Sequence, residues 1–243
     1  MSVLRRWGRR VKATAAQRLK NARRPGIIQR YFETAFPRCL HLGCGVHPLT
    51  GWLNTDLGAH APGIIRLDAT RTFPFEDDVF DFVFSEHMIE HLPYHAADGM
   101  LAECFRTLKP GGTVRISTPD LAFLLALFGR PLTGIQQQYV DWSIRTFIRH
   151  APRTAPVFVL NNFVRDWGHQ FIYDEQTLRQ SLEAAGFVDV VRCGLNDSRH
   201  AALRNLENES RMPPGFLRLE TMTFEGTKPG ASAPRVVSMS GPQ

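Results

Sequence analysis

Four short apolar runs, each closed by glycine or by polar residues, govern what this chain can fold into. Cys39-Leu-His-Leu42 runs into Gly43-Cys-Gly45. Gly51-Trp-Leu-Asn-Thr-Asp56 and Gly63-Ile-Ile-Arg-Leu-Asp68 both end in aspartate, and Phe80-Asp-Phe-Val-Phe84 runs into Ser85-Glu86-His87. Short apolar runs bounded by turn formers read as buried strands. Helical patterning from His95 to Leu108 then stops at the breaker Lys109-Pro-Gly-Gly112, and Thr113–Thr118 reads as a fifth strand. Asp174–Ala185 is helical in pattern and ends at Gly186, a natural C-cap, while Phe187–Cys193 and Leu217–Glu225 read as two further strands. Seven strands with helices between them predict an open, mostly parallel α/β sheet.

A length of 243 residues suits one such domain with additions. Cys39, Cys44, Cys104 and Cys193 form no CxxC pair and read as reduced thiols of a cytoplasmic protein. The net charge of +6 is a property of one end. Residues 1 to 32 hold ten Lys and Arg and no acid, which leaves 19 basic against 23 acidic residues in the rest. Residues 1–36 therefore form a basic arm. Within it, Val3, Leu4, Trp7 and Val11 share one helical sector opposite Arg5, Arg6, Arg9, Arg10 and Lys12, the pattern of a basic amphipathic helix. Three uses remain open for it: docking on the protein itself or a second subunit, peripheral contact with an anionic membrane surface through residues 3–24, or nucleic acid. With no aromatic stacking platform beside it, nucleic acid is not expected. Residues 37–227 form the domain, and 228–243, rich in Pro, Gly and Ser, read as a disordered tail.

Residues 119–173 break the strand–helix rhythm with helical patterns at Leu121–Phe128 and Ile135–Ile148, then a polar-aromatic stretch from Asn161 to Gln170. An excursion this long between a strand and its helix predicts a lid or acceptor-binding cap.

Ligands of open α/β sheets bind beyond the carboxyl ends of the strands. Here those ends carry Gly43, Cys44 and Gly45, then Asp56, Asp68, and Ser85, Glu86 and His87. Two glycines permit close backbone approach, one acid can accept both hydroxyls of a ribose, and another an adenine amino group. A dinucleotide site would want GxGxxG with an acid about 20 residues on. Asp56 follows Gly43 too soon for that, and position 48 is proline. A nucleoside-bearing cofactor without a pyrophosphate fits better.

At LHLGCG (40–45), GWLNTDL (51–57), FPFEDDVFDFVFSEHMIEHL (73–92), LAECFRTLKPGGTVRISTPDL (101–121) and FIYDEQTLRQSLEAAGFVDV (171–190) the chain resembles the S-adenosylmethionine-dependent class I methyltransferases of the type 11 branch. The resemblance implies a Rossmann-like, seven-stranded, mostly parallel sheet with one antiparallel edge hairpin strand and helices on both faces. It implies S-adenosyl-L-methionine as cofactor. Gly43, Cys44 and Gly45 would lie under its methionine and ribose, Asp56 and Leu57 at the ribose, Asp68 and Ala69 near the adenine, and Ser85 and Glu86 beneath the sulfonium. Two departures stand out: His41 replaces the usual acid before the first glycine, and His47 replaces the third glycine. The helix that normally follows is largely replaced by Pro48-Leu-Thr-Gly51. The short GWLN link resembles a sub-branch often associated with bacterial surface-polysaccharide genes, which points to a small-molecule or glycan acceptor.

Methyl transfer from a sulfonium is an in-line displacement, in which a base assists a hydroxyl acceptor. His87, Glu90 and His91 after the fourth strand are candidates, with His169 of the cap favoured because Asn161, Asp166, Trp167 and Tyr173 surround it in sequence. His87-Met-Ile-Glu90-His91 also matches the HxxEH zinc pattern. Pro93 follows at once, so no metal site is expected. The rival functions are a non-catalytic cofactor-binding scaffold and a nucleotide-dependent oxidoreductase.

Overall fold

A parallel sheet binds its ligand where the strand order reverses, so the order of these strands locates the site. The computed structural model describes residues 24–59 and 61–230. Strands β1 (Cys39–Leu42), β2 (Leu53–Asp56), β3 (Ile65–Arg66), β4 (Phe80–Glu86), β5 (Leu108–Pro119), β6 (Val188–Cys193) and β7 (Thr221–Thr227) form one sheet in the order β3-β2-β1-β4-β5-β7-β6. The first five pair in parallel, while β7 runs antiparallel to both β5 and β6, one place in from that edge. The chain steps outward from β1 to β3 on one side, then crosses back to β4 on the other. The switch point is therefore the crevice beyond β1 and β4.

Alternate residues of paired strands share a face. Leu40 pairs with Val83, Val83 with Val114, and Ile116 with Phe224, so one face is largely apolar, interrupted by the buried hydroxyls of Ser85 and Thr118. Against it pack Met100, Leu101 and Cys104 of α2 (Tyr94–Thr107) and Leu178 and Leu182 of α6 (Glu175–Ala184). Helix α1 (residues 24–34) presses Ile27, Ile28, Tyr31 and Phe32 onto the same core. The Tyr31 hydroxyl ties it down, donating to Cys39 O at 2.9 Å and accepting from Cys39 N at 2.6 Å. The end of the expected arm is thus part of the domain. The basic amphipathic helix expected over residues 3–12 lies outside the described residues, as does the rest of the expected membrane-contact segment 3–24 apart from Arg24, along with His60 and the tail from 231.

The opposite face carries His41, Arg115, Ser117 and Glu225 and is covered by residues 194–212, which contain two 3-10 turns instead of a long helix. A second apolar cluster fills the excursion: α3 (Leu121–Ala126), α4 (Gly134–Phe147) and α5 (Pro156–Arg165), with Phe123, Tyr139, Val140, Val159 and Phe163 buried. Helix α5 was not legible beforehand, because the polar-aromatic stretch beginning at Asn161 masks it; Pro156 opens it at a position where no amide is needed. The strand expected over Leu217–Glu225 is corrected in part. Residues Phe216–Glu220 form the short helix α7, entered through left-handed Gly215, and strand geometry begins at Thr221. The reason is tertiary: Phe216 stacks on Tyr139 and Trp142, which makes α7 part of the cap cluster. No helix among the described residues is long and apolar enough to cross a membrane.

Candidate active site

At the end of β1 the chain turns on Gly43 (φ +68°) and Gly45 (φ +52°), backbone that side chains rarely adopt. A Cβ on Gly43 would stand 2.4 Å from Met88 Cγ, so this glycine lets the segment after β4 pass directly against the turn. A Cβ on Gly45 would meet nothing within 4 Å. Cys44 N donates to Thr55 O at 3.0 Å, and its thiol is buried and pushed up to about 11 by desolvation. At the end of β2, Asp56 draws the loops together: Oδ2 accepts from Gly45 N (3.1 Å) and Oδ1 from Gly58 N (2.6 Å). Two apolar side chains flank this turn in the open, Val46 at 70% and Leu57 at 59% exposure. Uncovered apolar surface around a carboxylate and a glycine turn suits a ligand with a flat body and hydroxyl groups.

The other strand ends are more engaged. Asp68 Oδ1 accepts from Thr70 N (3.1 Å) and Thr70 Oγ1 (2.7 Å), which with Arg71 holds its carboxyl below the usual range. Ala69 is half-buried against the core. Ser85 is fully buried within the sheet, its hydroxyl without a hydrogen bond among the described residues. Glu86 Oε1 accepts from Asn208 N at 3.1 Å and stands 3.4 Å from Arg211 Nη2.

In place of a helix after β1, a buried histidine organises turns. His41 Nδ1 lies 3.1 Å from Asn54 Oδ1, and Asn54 in turn bonds Leu49 N, Leu49 O and Trp52 O at 2.8 to 3.0 Å. Desolvation presses His41 down to about 4 from 6.5, so it folds in the neutral form. The unfolded chain takes up that proton as pH falls through about 6.5. The stability is therefore complete above that value and is lost as pH falls toward 4, by about 3 kcal/mol in all. Urea denaturation at pH 7 and pH 4 measures this; in His41→Asn the difference between the two pH values should shrink by about that amount. An unchanged pH dependence would remove His41 as its source.

Two recesses meet on the segment after β4. One, about 470 Å³, is lined by His41, Val46, His47, Glu86 and Asn205–Asn208. The other, about 310 Å³, is lined by His87, Glu90, His91 and His169 together with aromatic residues of the cap. Glu86 faces the first and His87 the second. His87 holds a left-handed φ of +47°, and its Nε2 lies 2.9 Å from Thr221 Oγ1. Residues Ile89–His91 form a 3-10 turn, not the α-helical turn that would stack His87 over His91. His169 is brought in from the cap, its ring 4.8 Å from that of His91. The chain is pinned there by Gln170 N and Phe171 N, which donate to Glu90 O at 2.7 and 3.2 Å. His169 Nδ1 must donate to Phe163 O (2.7 Å), a carbonyl that can only accept, which leaves Nε2 with its lone pair. Burial lowers His169 further, keeping the ring neutral.

The four candidate catalytic residues therefore line one cavity, but the residues expected around His169 do not all join it. Trp167 does, at 5.6 Å between rings. Asn161 is exposed and bonds Val157 O of its own helix, Asp166 is exposed, and Tyr173 is buried against Tyr94 and Phe171. Sequence reasoning missed the far wall. The Tyr139 hydroxyl donates to Glu220, a buried pair in which desolvation pushes the carboxyl up and the phenol well up. Arg211 completes that side. Tyr139 reads as one more apolar position of an amphipathic helix, and Glu220 as part of a strand, so neither carried a local signal.

Residues 54–116 match the family model described as a methyltransferase domain. The ubiquinone biosynthesis O-methyltransferase of Nitrosococcus oceani is 32% identical over 135 residues, covering 45% of this chain and 56% of that protein. The chain thus spans little more than half the length of that curated relative. Among solved structures, a SAM-dependent methyltransferase from Archaeoglobus fulgidus is similar over 87% of this chain and 94% of its own, at 17% identity and a TM-score of 0.48. A phosphoethanolamine N-methyltransferase from Haemonchus contortus, solved with S-adenosyl-L-methionine, is similar over 86% of this chain and 52% of its own, at 15% identity and a TM-score of 0.42.

Proposed function

We propose that this protein is an S-adenosylmethionine-dependent methyltransferase acting on a small-molecule or glycan acceptor. The observation that carries the proposal is the pair of recesses at the switch point, one on each side of Glu86–His87, with the glycine turn on one side and the histidines on the other. The methyltransferase-domain match over residues 54–116 includes β4, one of the two strands that flank this crevice, and begins after β1 and its glycine turn.

The residues present fit the cofactor. Gly43 and Gly45 give close backbone approach, Asp56 offers carboxylate oxygens to ribose hydroxyls, and Val46 and Leu57 offer apolar surface to a purine. Asp68 and Ala69 frame the adenine end and Glu86 lines the larger recess, while Cys44 and Ser85 are buried behind it and act through the backbone they carry. S-adenosylmethionine supplies an electrophilic methyl group on a sulfonium. The chain must hold an acceptor in line with it and keep water out. Tyr139, Trp142 and Phe147 of α4 and Phe163 of α5 give the second recess aromatic walls. His169 Nε2, neutral and oriented through Nδ1, can accept the proton of an acceptor hydroxyl. Glu90, buried beside His87 and His91, can stabilise the positive charge that this creates.

Calorimetric titration with S-adenosylhomocysteine and, separately, with NAD tests the proposal. We expect one S-adenosylhomocysteine per chain and no heat from NAD. Binding of NAD alone would replace the methyltransferase by an oxidoreductase.

A further inference from the structure

Among the described residues, one group of side chains has the composition and spacing of a metal site. The ligand atoms of Glu90, His91 and His169 all lie within 4.8 Å of one another. Glu90 is fully buried; its Oε2 accepts from Thr118 Oγ1 at 3.0 Å, while Oε1 makes no hydrogen bond among the described residues. Oε1 lies 3.4 Å from His87 Nδ1. A buried carboxylate oxygen left without a hydrogen bond is costly unless something else satisfies it.

The surroundings match what metal ligands require. A ligating histidine usually donates its other ring N–H to a carbonyl or carboxylate, which fixes the tautomer and aims the lone pair. His169 does this through Nδ1 and Phe163 O at 2.7 Å. Glu90 is held on its far oxygen by Thr118 and through its backbone by Gln170 and Phe171, so the segment carrying His169 is bolted to the segment carrying Glu90 and His91. His87, the first residue of the HxxEH pattern, is outside the group, and the cap histidine takes the place that pattern would give it.

We propose that Glu90, His91 and His169 bind one divalent transition-metal ion at the floor of the smaller recess. Two imidazoles and one carboxylate select zinc, iron(II), cobalt or manganese over calcium and magnesium, which favour oxygen ligands. Three protein ligands leave positions open toward the cavity; with the ion bound, His169 Nε2 is committed to it, and the ion in place of the free imidazole would lower the pKa of an acceptor hydroxyl. The open side faces the aromatic walls of the cap, so the occupant is an acceptor with a flat or apolar body, bound to the metal through a hydroxyl oxygen. This acceptor class rests on the methyl-transfer proposal above, whereas the metal site does not.

The test uses the full-length protein, stripped with a chelator and titrated with cobalt(II) while its visible absorption is followed. The wild-type protein should bind one cobalt per chain. Glu90→Gln and His169→Ala should each weaken binding by about tenfold or more. His91 is exposed, so His91→Gln, expected to remain folded, should weaken it as well. Absence of stoichiometric binding by the wild type, or wild-type affinity in folded His91→Gln and His169→Ala, overturns the site. Titration with S-adenosylhomocysteine in the absence of metal reports separately on the methyl-transfer proposal, and the three variants should retain it.

Discussion

Removing the Glu207 side chain is expected to cost about 3–5 kcal/mol of folding stability, because it strips one partner from a buried ion pair. Arg115 is fully enclosed between β5 and residues 194–212. Its guanidinium bonds Glu207 Oε1 and Oε2 at 2.7 and 3.1 Å, Glu225 Oε1 at 2.6 Å, and the carbonyls of Asp197 and Gly194 at 2.7 and 3.2 Å. Glu207 also accepts from Ser117 Oγ and Asn196 N. Every guanidinium donor is used, so loss of Glu207 strands the Nε donor and one Nη2 donor in a buried site. In Glu207→Ala the segment that covers this face should loosen, and with it Asn205–Asn208, which line the larger recess. Urea denaturation gives the stability difference. A value within about 0.5 kcal/mol of wild type, the range of ordinary surface changes, would show that the pair does not hold the segment down. Replacing Arg115, Glu207 and Glu225 together by apolar residues of similar size should cost much less, since no charge is then stranded.

The second large effect concerns binding. Asp56→Ala should weaken S-adenosylhomocysteine by about 100-fold or more, the loss of two charge-assisted hydrogen bonds of about 1.5–3 kcal/mol each. Asp56 also ties Gly45 and Gly58 together, so a second variant is needed to separate binding from loop structure. Asp56→Asn keeps an acceptor for one amide and removes the charge. It should fold as the wild type does in thermal unfolding, yet bind at least about tenfold more weakly. Affinity equal to wild type in folded Asp56→Asn and Asp56→Ala would remove Asp56 from the cofactor site.

Strand ends were legible in the chain because their requirements are local. Gly43 and Gly45 sit where the backbone must take positive φ, and Asp56 sits where two loop amides need an acceptor. The helix Tyr94–Thr107 ends beside Lys109-Pro-Gly-Gly112 as the breaker requires. The chemistry of the smaller recess was only half legible. His87, Glu90 and His91 are near neighbours in sequence, but the backbone there is a 3-10 turn that does not stack His87 over His91, and the histidine whose ring meets His91 is His169, far along the chain. Arg115 alternates with apolar neighbours in β5 and reads as solvent-facing. Nothing near it in sequence reveals that a segment some eighty residues on will bury it.

By itself, then, the sequence determined the strands, their polarity and the placement of glycine and aspartate at their carboxyl ends, since these follow from φ/ψ preference and hydrophobic period within a few residues. Only the tertiary structure decided which side chains meet. His169 reaches Glu90 and His91 through backbone bonds to Gln170 and Phe171. Tyr139 meets Glu220 because Phe216 draws α7 into the cap. Glu207 reaches Arg115 because one face of the sheet lacks a long helical cover. Such encounters depend on burial summed over the whole fold, which no window of sequence contains.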